Sequence, residues 1–402
     1  MKKYWKCSAI IIVIALSIGS YYVNSATSAE HYPNFVIQTL SGDAQEIKPI
    51  MVNGSYADTT SMNYVNTSLS ISAKGTTYEG HSILAQLVGN PPSEIKALQE
   101  EYGMFMRGKN FSANLFFENN QFLAYADVDY SSVTSRNHKF SISVLTKEDD
   151  TINSFKLDVP EGKEMDYLFV EDVQIIEGKL YLITNNMIRN NENQYEQKHI
   201  YTIDLATKKI LNHEAIIQFP RSQENPSIDV ELVKTIPTNA SDHLILLKTE
   251  IKVSEDTEST SEDVRRQEII SYNIVTKEKE TINIPDLHLD RNQLSFFDGS
   301  FVYFMRLNGQ NLVVTPYSFV DNSVGQSFNI QLSGKTENVP VTIVKDDKLY
   351  IATSQMNADI NADIIVADAY TGKTLFKGQV AVDGSSKDNS HFDLSLYELF
   401  VK

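Results

Sequence analysis

Thiol and indole groups are nearly missing from this chain. Among its 402 residues there is one cysteine, Cys7, and one tryptophan, Trp5. From residue 8 onward the chain can form no internal disulfide and no thiolate metal site. Cys7 also precedes the main apolar run, so it is not the lipid-bearing cysteine that ends a lipoprotein signal. Positive charge is short as well: 35 Lys and Arg face 52 Asp and Glu, a formal net charge of −17. Lys2, Lys3 and Lys6 are used up in the first six residues, leaving the remainder more acidic still. Such a surface repels nucleic-acid phosphates and anionic lipid headgroups, so nucleic acid is excluded as a partner. Three catalytic signatures are absent too: a Gly-x-Ser-x-Gly elbow, a His-Glu-x-x-His zinc helix and a phosphate-binding glycine loop.

What is present starts with a leader. A positive start, Met1–Lys6, is followed by the apolar run Ala9–Leu16, which continues through Ile18 to Val23. Ser25-Ala-Thr-Ser-Ala29 then offers the small residues that suit signal-peptidase cleavage. Residues 1–29 read as a signal peptide or an N-terminal membrane anchor, since the uncharged stretch 7–23 reaches the short end of a membrane span. Either way the leading lysines stay in the cytoplasm and residues 30–402 are expected outside it. The expected location is extracytoplasmic: secreted, or at the outer face of a bacterial cytoplasmic membrane.

The body repeats a strand grammar. A polar turn followed by a large apolar strand recurs at Asn119–Leu123, Glu177–Ile183, Asp242–Leu247, Asp298–Phe304 and Asp346–Ile351. Another apolar run precedes most of these turns, as at Tyr167–Val170, Val230–Val233, Leu294–Phe297 and Val341–Val344. Two strands joined by a turn this short form a hairpin. A third strand with its own turn follows at Ile142–Lys147, Tyr201–Lys209, Ser271–Lys277 and Ile365–Lys373, with a weaker copy at Tyr317–Asn322. A fourth apolar stretch comes next, for example Ile210–Ile217 or Thr374–Val382. Four strands per roughly 50–60 residues is close to a kelch-like period. One such sheet cannot bury both faces alone, whereas sheets arranged radially can. The expected fold is therefore all-β: over residues 30–402, a β-propeller of six or seven four-stranded blades. Residues 34–90 supply one more unit through Phe35–Leu40 and Ser68–Ala73, and Asp393–Phe400 is placed to pair with an N-terminal strand. Stacked β-sandwiches are the alternative.

The third strand and its turn resemble the blade signature of PQQ-like (quinoprotein-type) β-propellers. Asp368-Ala-Tyr-Thr-Gly-Lys373 followed by Thr374-Leu-Phe376 matches best, and Asp204-Leu-Ala-Thr-Lys-Lys209 comes next. The match spans about ten residues per unit, so it speaks to fold rather than activity. The tryptophan usual in those blades is missing, and so is the neighbouring cysteine pair of the quinoprotein dehydrogenases. The resemblance therefore implies no cofactor and points to the scaffold propellers that hold protein partners at membranes.

Some segments break the strand pattern. Pro92–Met106 is expected to be a helical insertion, with Ser93 as its N-cap and Ile95, Leu98, Tyr102 and Phe105 on one face. That face either packs on the sheets or docks a partner. The acidic stretch Ser254–Asp263 is expected as a mobile, solvated hairpin tip, and Asn185–Gln197 as a similar excursion.

Candidate chemistry is thin. Asp359-Ile-Asn-Ala-Asp363 opens like a calcium loop, but Ile364 and Tyr370 stand where glycine and the closing glutamate belong. Asp127 and Asp129 share a strand face on which a cation could sit. Ser93-Glu-Ile-Lys96 has Ser-x-x-Lys spacing without its companion motifs. The histidines (31, 81, 138, 199, 213, 243, 288 and 391) show no metal-ligand spacing on one element; His288 with Asp290, and His391 with Asp393, could share a strand face. No catalytic, cofactor-binding, metal or ligand-binding residue is assigned on this basis. The expected function is a non-catalytic binding, sensory or scaffold protein. It would serve a membrane or envelope partner such as a transporter, sensor kinase or envelope-assembly factor. The alternative is a propeller-fold glycan hydrolase or lyase, which requires carboxylates of two sheets to meet.

Overall fold

The computed structural model describes residues 32–59, 66–79, 91–129, 137–190, 193–220, 227–233, 241–256, 259–282, 294–333, 339–357, 359–383 and 391–402, together with Ile14, Leu16 and Gly19. The leader's signal or anchor role thus falls outside the described residues. Among those that are described, no helix is long and apolar enough to cross a membrane.

The chain opens with β1 (Phe35–Gly42), β2 (Ile50–Asp58), β3 (Thr67–Ser72) and β4 (Gly75–Tyr78), and then α1 (Ser93–Glu101) and α2 (Gly103–Met106). Four groups of strands follow. The first is β5 (Phe116–Glu118), β6 (Phe122–Asp129), β7 (Lys139–Thr146) and β8 (Thr151–Asp158). The second is β9 (Met165–Ile176), β10 (Lys179–Asn190), β11 (Asn193–Asp204) and β12 (Lys209–Pro220). The third is β13 (Ser227–Leu232), β14 (His243–Asp256), β15 (Ser259–Asn273) and β16 (Lys279–Ile282). The fourth is β17 (Leu294–Phe297), β18 (Phe301–Asn308), β19 (Asn311–Ser318) and β20 (Ser323–Val324), followed by β21 (Phe328–Gln331). The chain ends with β22 (Val341–Lys345), β23 (Lys348–Ala352), β24 (Gln355–Asn357), β25 (Ala362–Asp368), β26 (Thr374–Val382) and β27 (Phe392–Val401).

Every anticipated strand is present, and among the described residues the strands form six sheets of four or five. Four of the sheets are meanders of consecutive strands, β5–β8, β9–β12, β13–β16 and β17–β20. The turns explain the regularity. Glu177 and Gly178, and likewise Asp346 and Asp347, all adopt positive φ in two-residue links, the hand that a twisted hairpin requires. In the longer links, Asn119 and Asp298 each accept two backbone N–H groups through Oδ1.

The chain divides into two compact units, residues 1–90, 309–311 and 330–402 in one, and residues 91–308 and 312–329 in the other. In the first unit, the first two described strands pair with two of the last. β27 pairs antiparallel with β2, as anticipated, giving the order β24-β27-β2-β3-β4. The expectation that Phe35–Leu40 and Ser68–Ala73 share a unit is corrected. β1 pairs with β26 instead, in the sheet β1-β26-β25-β23-β22, while β3 stays with β2. Phe35, Val52, Ile71, Val366, Phe376 and Leu394 are buried in one cluster of this unit.

In the second unit each sheet contributes to successive cores. Phe140, Val144, Val173 and Leu182 join β5–β8 to one face of β9–β12. Ile183 and Ile200 join the other face to Val230, Leu244 and Ile270. Ile245 and Ile269, on the far side of β13–β16, meet Phe297 and Phe304. Each such side chain contributes about 1.5–3 kcal/mol by leaving water. A two-sheet sandwich leaves the outer face of each sheet to solvent; β9–β12 and β13–β16 bury both.

The helical insertion forms as expected, and Ile95 and Phe105 are buried against the β5–β9 core with Leu98 and Tyr102 beside them. Its apolar face therefore packs on the sheets. Its N-cap, however, is Pro92, so Ser93 lies one residue inside the helix and does not cap it. The excursions at Ser254–Asp263 and Asn185–Gln197 are hairpin tips, but the backbone ladder continues along them, to Asp256 opposite Ser259 and Asn190 opposite Asn193.

Candidate functional site

The turn of the blade-like signature has a plain chemical basis. Asp368 Oδ1 accepts from the backbone N–H of Thr371 (2.8 Å) and from its hydroxyl (2.7 Å), and Gly372 follows at φ +70°. Asp204 accepts the N–H groups of Ala206 and Thr207 before Lys208 at φ +53°, and Asn273 those of Val275 and Thr276 before Lys277 at φ +67°. These hydrogen bonds hold both aspartate carboxyls below their ordinary range. An acceptor that closes a turn onto a left-handed residue needs no ligand to account for it.

The flagged carboxylates hold structure as well. Asp127 Oδ2 accepts the Tyr125 hydroxyl at 3.0 Å, while Asp129 pairs with Lys156 at 2.5 Å, so the two have separate partners. Asp363 is buried and accepts from Gln379 Nε2 (3.0 Å) and the Ser333 N–H (2.5 Å). Asp359 lies in a turn closed by Asn357 Oδ1. Ser93 is buried in the first turn of α1. His31, His81 and His288 fall outside the described residues. His391 sits in the bend before β27 rather than on the strand with Asp393. The structure does unite His199 with His213, from neighbouring strands: Nε2 and Nδ1 lie 3.3 Å apart and the rings stack. Burial first, then the neighbouring His213, pushes the His199 imidazole down to about 4. No group of three metal-ligating side chains occurs among the described residues.

A site that sequence reasoning missed lies on β9–β11. Asp172 opposes Ile183 and Val170 opposes Thr184, so Glu171 is the extra residue of a bulge. Phe169, Asn185 and Lys198 are successive cross-strand partners and therefore share a face. Across that face Lys198 Nζ reaches Glu171 Oε1 at 2.6 Å, with 3% of the lysine and 17% of the glutamate side chain exposed. Burial raises the Glu171 carboxyl against the pull of Lys198, and Glu196 and Asp229 add repulsion. Burial and Asp229 also raise Glu231, on the neighbouring sheet's β13. Asn185 donates to Glu196 at 3.2 Å. Two oxygens of the cluster, Glu171 Oε2 and Asn185 Oδ1, are buried with no hydrogen-bond partner among the described residues.

Next to this cluster Asp172 is buried and accepts Gln174 Nε2 at 3.0 Å; burial pushes its carboxyl up to about 7. Gln174 in turn accepts the Ser241 N–H. Further along β9, Tyr167 and Phe169 stand 61% and 47% exposed, side by side on the face that carries Asn185 and Lys198. Among the described residues the site thus combines Lys198, several carboxylates and two open aromatic rings. A lysine amid an otherwise strand-like stretch, Gln197-Lys198-His199-Ile200, was the one sequence signal for it.

No protein-family model and no curated protein matches the chain. Among solved structures it is similar to cobalt-substituted Synechocystis apocarotenoid oxygenase at 10% identity, covering 69% of this chain and 61% of that one, with a TM-score of 0.36. The chain therefore spans less than two thirds of that oxygenase. It is also similar to TolB from Acinetobacter baumannii, at 11% identity over 87% of this chain and 81% of that one, with a TM-score of 0.30. An uncharacterized protein of Listeria monocytogenes EGD-e matches at 10% identity over 68% and 67%, with a TM-score of 0.36. Likenesses this distant carry no argument about fold or chemistry.

Proposed function

We propose that this chain is an extracytoplasmic, non-catalytic binding or scaffold protein. It works at the outer face of a bacterial membrane with a partner such as a transporter, sensor kinase or envelope-assembly factor. In this reading the six sheets are the blades of one β-propeller, with the β1–β26 and β2–β27 pairings joining its ends. The leader supports the location, and the meanders with shared cores support the propeller. The observation that carries a binding role is the exposed pair Tyr167 and Phe169. Neighbouring aromatic rings left open beside a polar cluster are typical of interaction surfaces. To test it, a photo-crosslinking phenylalanine analogue is placed at Tyr167 or at the exposed Leu211 of the full chain in cells. One dominant membrane protein captured from position 167 and not from 211 is the expected result. No product at either position, with the chain free in the medium, counts against the reading.

A glycan-active enzyme is the second reading, and one observation favours it. Glu171 of β9 is electrostatically coupled to Asp229 of the next sheet, and Glu231 to both Asp229 and Lys198. Carboxylates held above their ordinary range suit general acid catalysis. Release of reducing sugar from envelope glycan that is abolished by Glu231→Gln would favour this reading over the first.

A further inference from the structure

Independently of the binding reading, we propose that His199 and His213 form a two-imidazole site for an exchangeable divalent transition-metal ion of the zinc and copper class. The strands build the site. His213 is the cross-strand partner of Tyr201, so His199, two residues before Tyr201, lies diagonal to it on the same face. Both imidazoles lie along the buried ring of Tyr201, at 4.7 and 5.8 Å between centroids. The tautomer is set by a second pair. Gln197 Nε2 donates to Gln218 Oε1 at 2.9 Å, which leaves Gln197 Oε1 turned to His199 Nδ1 at 3.3 Å. Nδ1 therefore carries the proton, and Nε2 presents its lone pair to His213. Tying the far nitrogen to an outer oxygen is how metal-binding imidazoles are oriented.

The gap suits an ion. His199 Nε2 and His213 Nδ1 are 3.3 Å apart. Two nitrogens held at about 2.0–2.1 Å by one tetrahedral zinc stand roughly 3.3–3.4 Å from each other. Without metal, the His213 Nδ1–H fills the gap as a hydrogen bond. With metal, His213 carries its proton on Nε2 instead, both facing nitrogens bond the ion, and no proton is released. The His213 ring has room to turn its lone pair onto the ion, being half-buried on β12, the edge strand of its sheet. Ligand type sets the class: imidazole suits zinc, copper or nickel, whereas calcium and magnesium take oxygen. Glu214, within electrostatic reach of His199, is held by Lys277 at 2.8 Å and Asn212 at 3.2 Å. Among the described residues no third ligating side chain joins the pair, so water completes the shell and the ion exchanges.

The test is titration of the chelator-stripped full chain in mild detergent, with Zn²⁺ against a zinc-sensitive dye and with Cu²⁺ followed by electron paramagnetic resonance. One ion per chain is expected, with splitting from two nitrogens and no competition from excess Mg²⁺. His213→Gln should abolish binding, and so should His199→Gln. Gln197→Leu, which releases the His199 tautomer, should weaken binding about tenfold. His243→Gln removes a half-buried histidine elsewhere and should leave affinity unchanged. Protection of His213 from diethyl pyrocarbonate by Zn²⁺ reads the site in the unsubstituted chain, so the proposal does not depend on a variant folding. Absence of binding, or a copper spectrum with fewer than two nitrogens, would overturn the proposal and leave the pair a hydrogen bond between strands. Binding that survives His213→Gln, or that His243→Gln weakens equally, would overturn it in favour of adventitious capture by scattered histidines.

Discussion

The two faces of the β9–β12 sheet treat their polar groups differently. Toward β5–β8, the Thr184 hydroxyl donates to Asn186 Oδ1 at 2.7 Å and Asn186 Nδ2 donates to the Tyr201 hydroxyl at 3.1 Å. Tyr201 is fully buried, edge-on to Phe140 and against His199. That chain of neutral groups is closed. Toward β13–β16 charged groups enter: Lys198 pairs with Glu171, and among the described residues the buried Glu171 Oε2 and Asn185 Oδ1 have no hydrogen-bond partner. A satisfied buried network specifies packing, while an unfinished ionic one costs stability that has to be tolerated for another reason. The contrast separates a face whose buried polar groups satisfy one another from a face that buries an ion pair with acceptors left over among the described residues.

The largest break in this comparison should come from Lys198→Met. It leaves the Glu171 carboxyl buried without its partner, and the urea midpoint of the full chain should fall by the equivalent of about 3–5 kcal/mol. Adding Glu171→Gln should restore most of that loss. If the single variant is as stable as the parent, the ionic face is not under the tension described.

The faces should also respond oppositely to acid. Asp172 has a folded-state carboxyl near 7, above its unfolded value of 3.8, so the folded state holds the extra proton between them. Its contribution therefore falls as pH rises from about 4 to 7, by at most about 1.4 kcal/mol per pH unit. Asp172→Asn should gain stability relative to the parent as pH rises through that window, measured by urea unfolding at stepped pH. His199 has a folded-state value near 4, below its unfolded 6.5, so its contribution is lost as pH falls from about 6.5 to 4. His199→Gln should flatten that acid limb and leave the Asp172 limb in place. Identical profiles for the parent and both variants would erase the distinction between the faces. The smallest effect is expected from Tyr201→Phe, which deprives Asn186 of its acceptor and should cost about 1–2 kcal/mol with no change in the pH limbs.

Much of the fold was legible because its rules are local. Turn pairs such as Glu177-Gly178 and Asp346-Asp347 could be read, since few residue pairs accept two positive φ values in a row. The helix at Pro92–Met106 was legible through the spacing of Ile95, Leu98, Tyr102 and Phe105, although its cap was not: Ser93 follows two prolines, and Pro92 takes the cap position. Sheet membership of β1 was misread because an isolated strand does not state its neighbour. The site was hardly legible at all. Glu171 and Lys198 are far apart in sequence, and their meeting depends on a one-residue bulge that shifts the register of β9 against β10.

The sequence by itself determined the strand-and-turn alphabet, the acidic surface, the lack of disulfide and thiolate chemistry beyond Cys7 and the leader's charge pattern. All of these follow from composition and from interactions over a few residues. Tertiary structure alone decided which strands share a sheet, that the central sheets bury both faces, and that carboxylates sought as ligands instead close turns and pair with lysines. It also decided which rings stay open. Burial and register are set by packing between segments distant in sequence, and the alternation of apolar residues, which gives each strand an inside, does not say what lies against it.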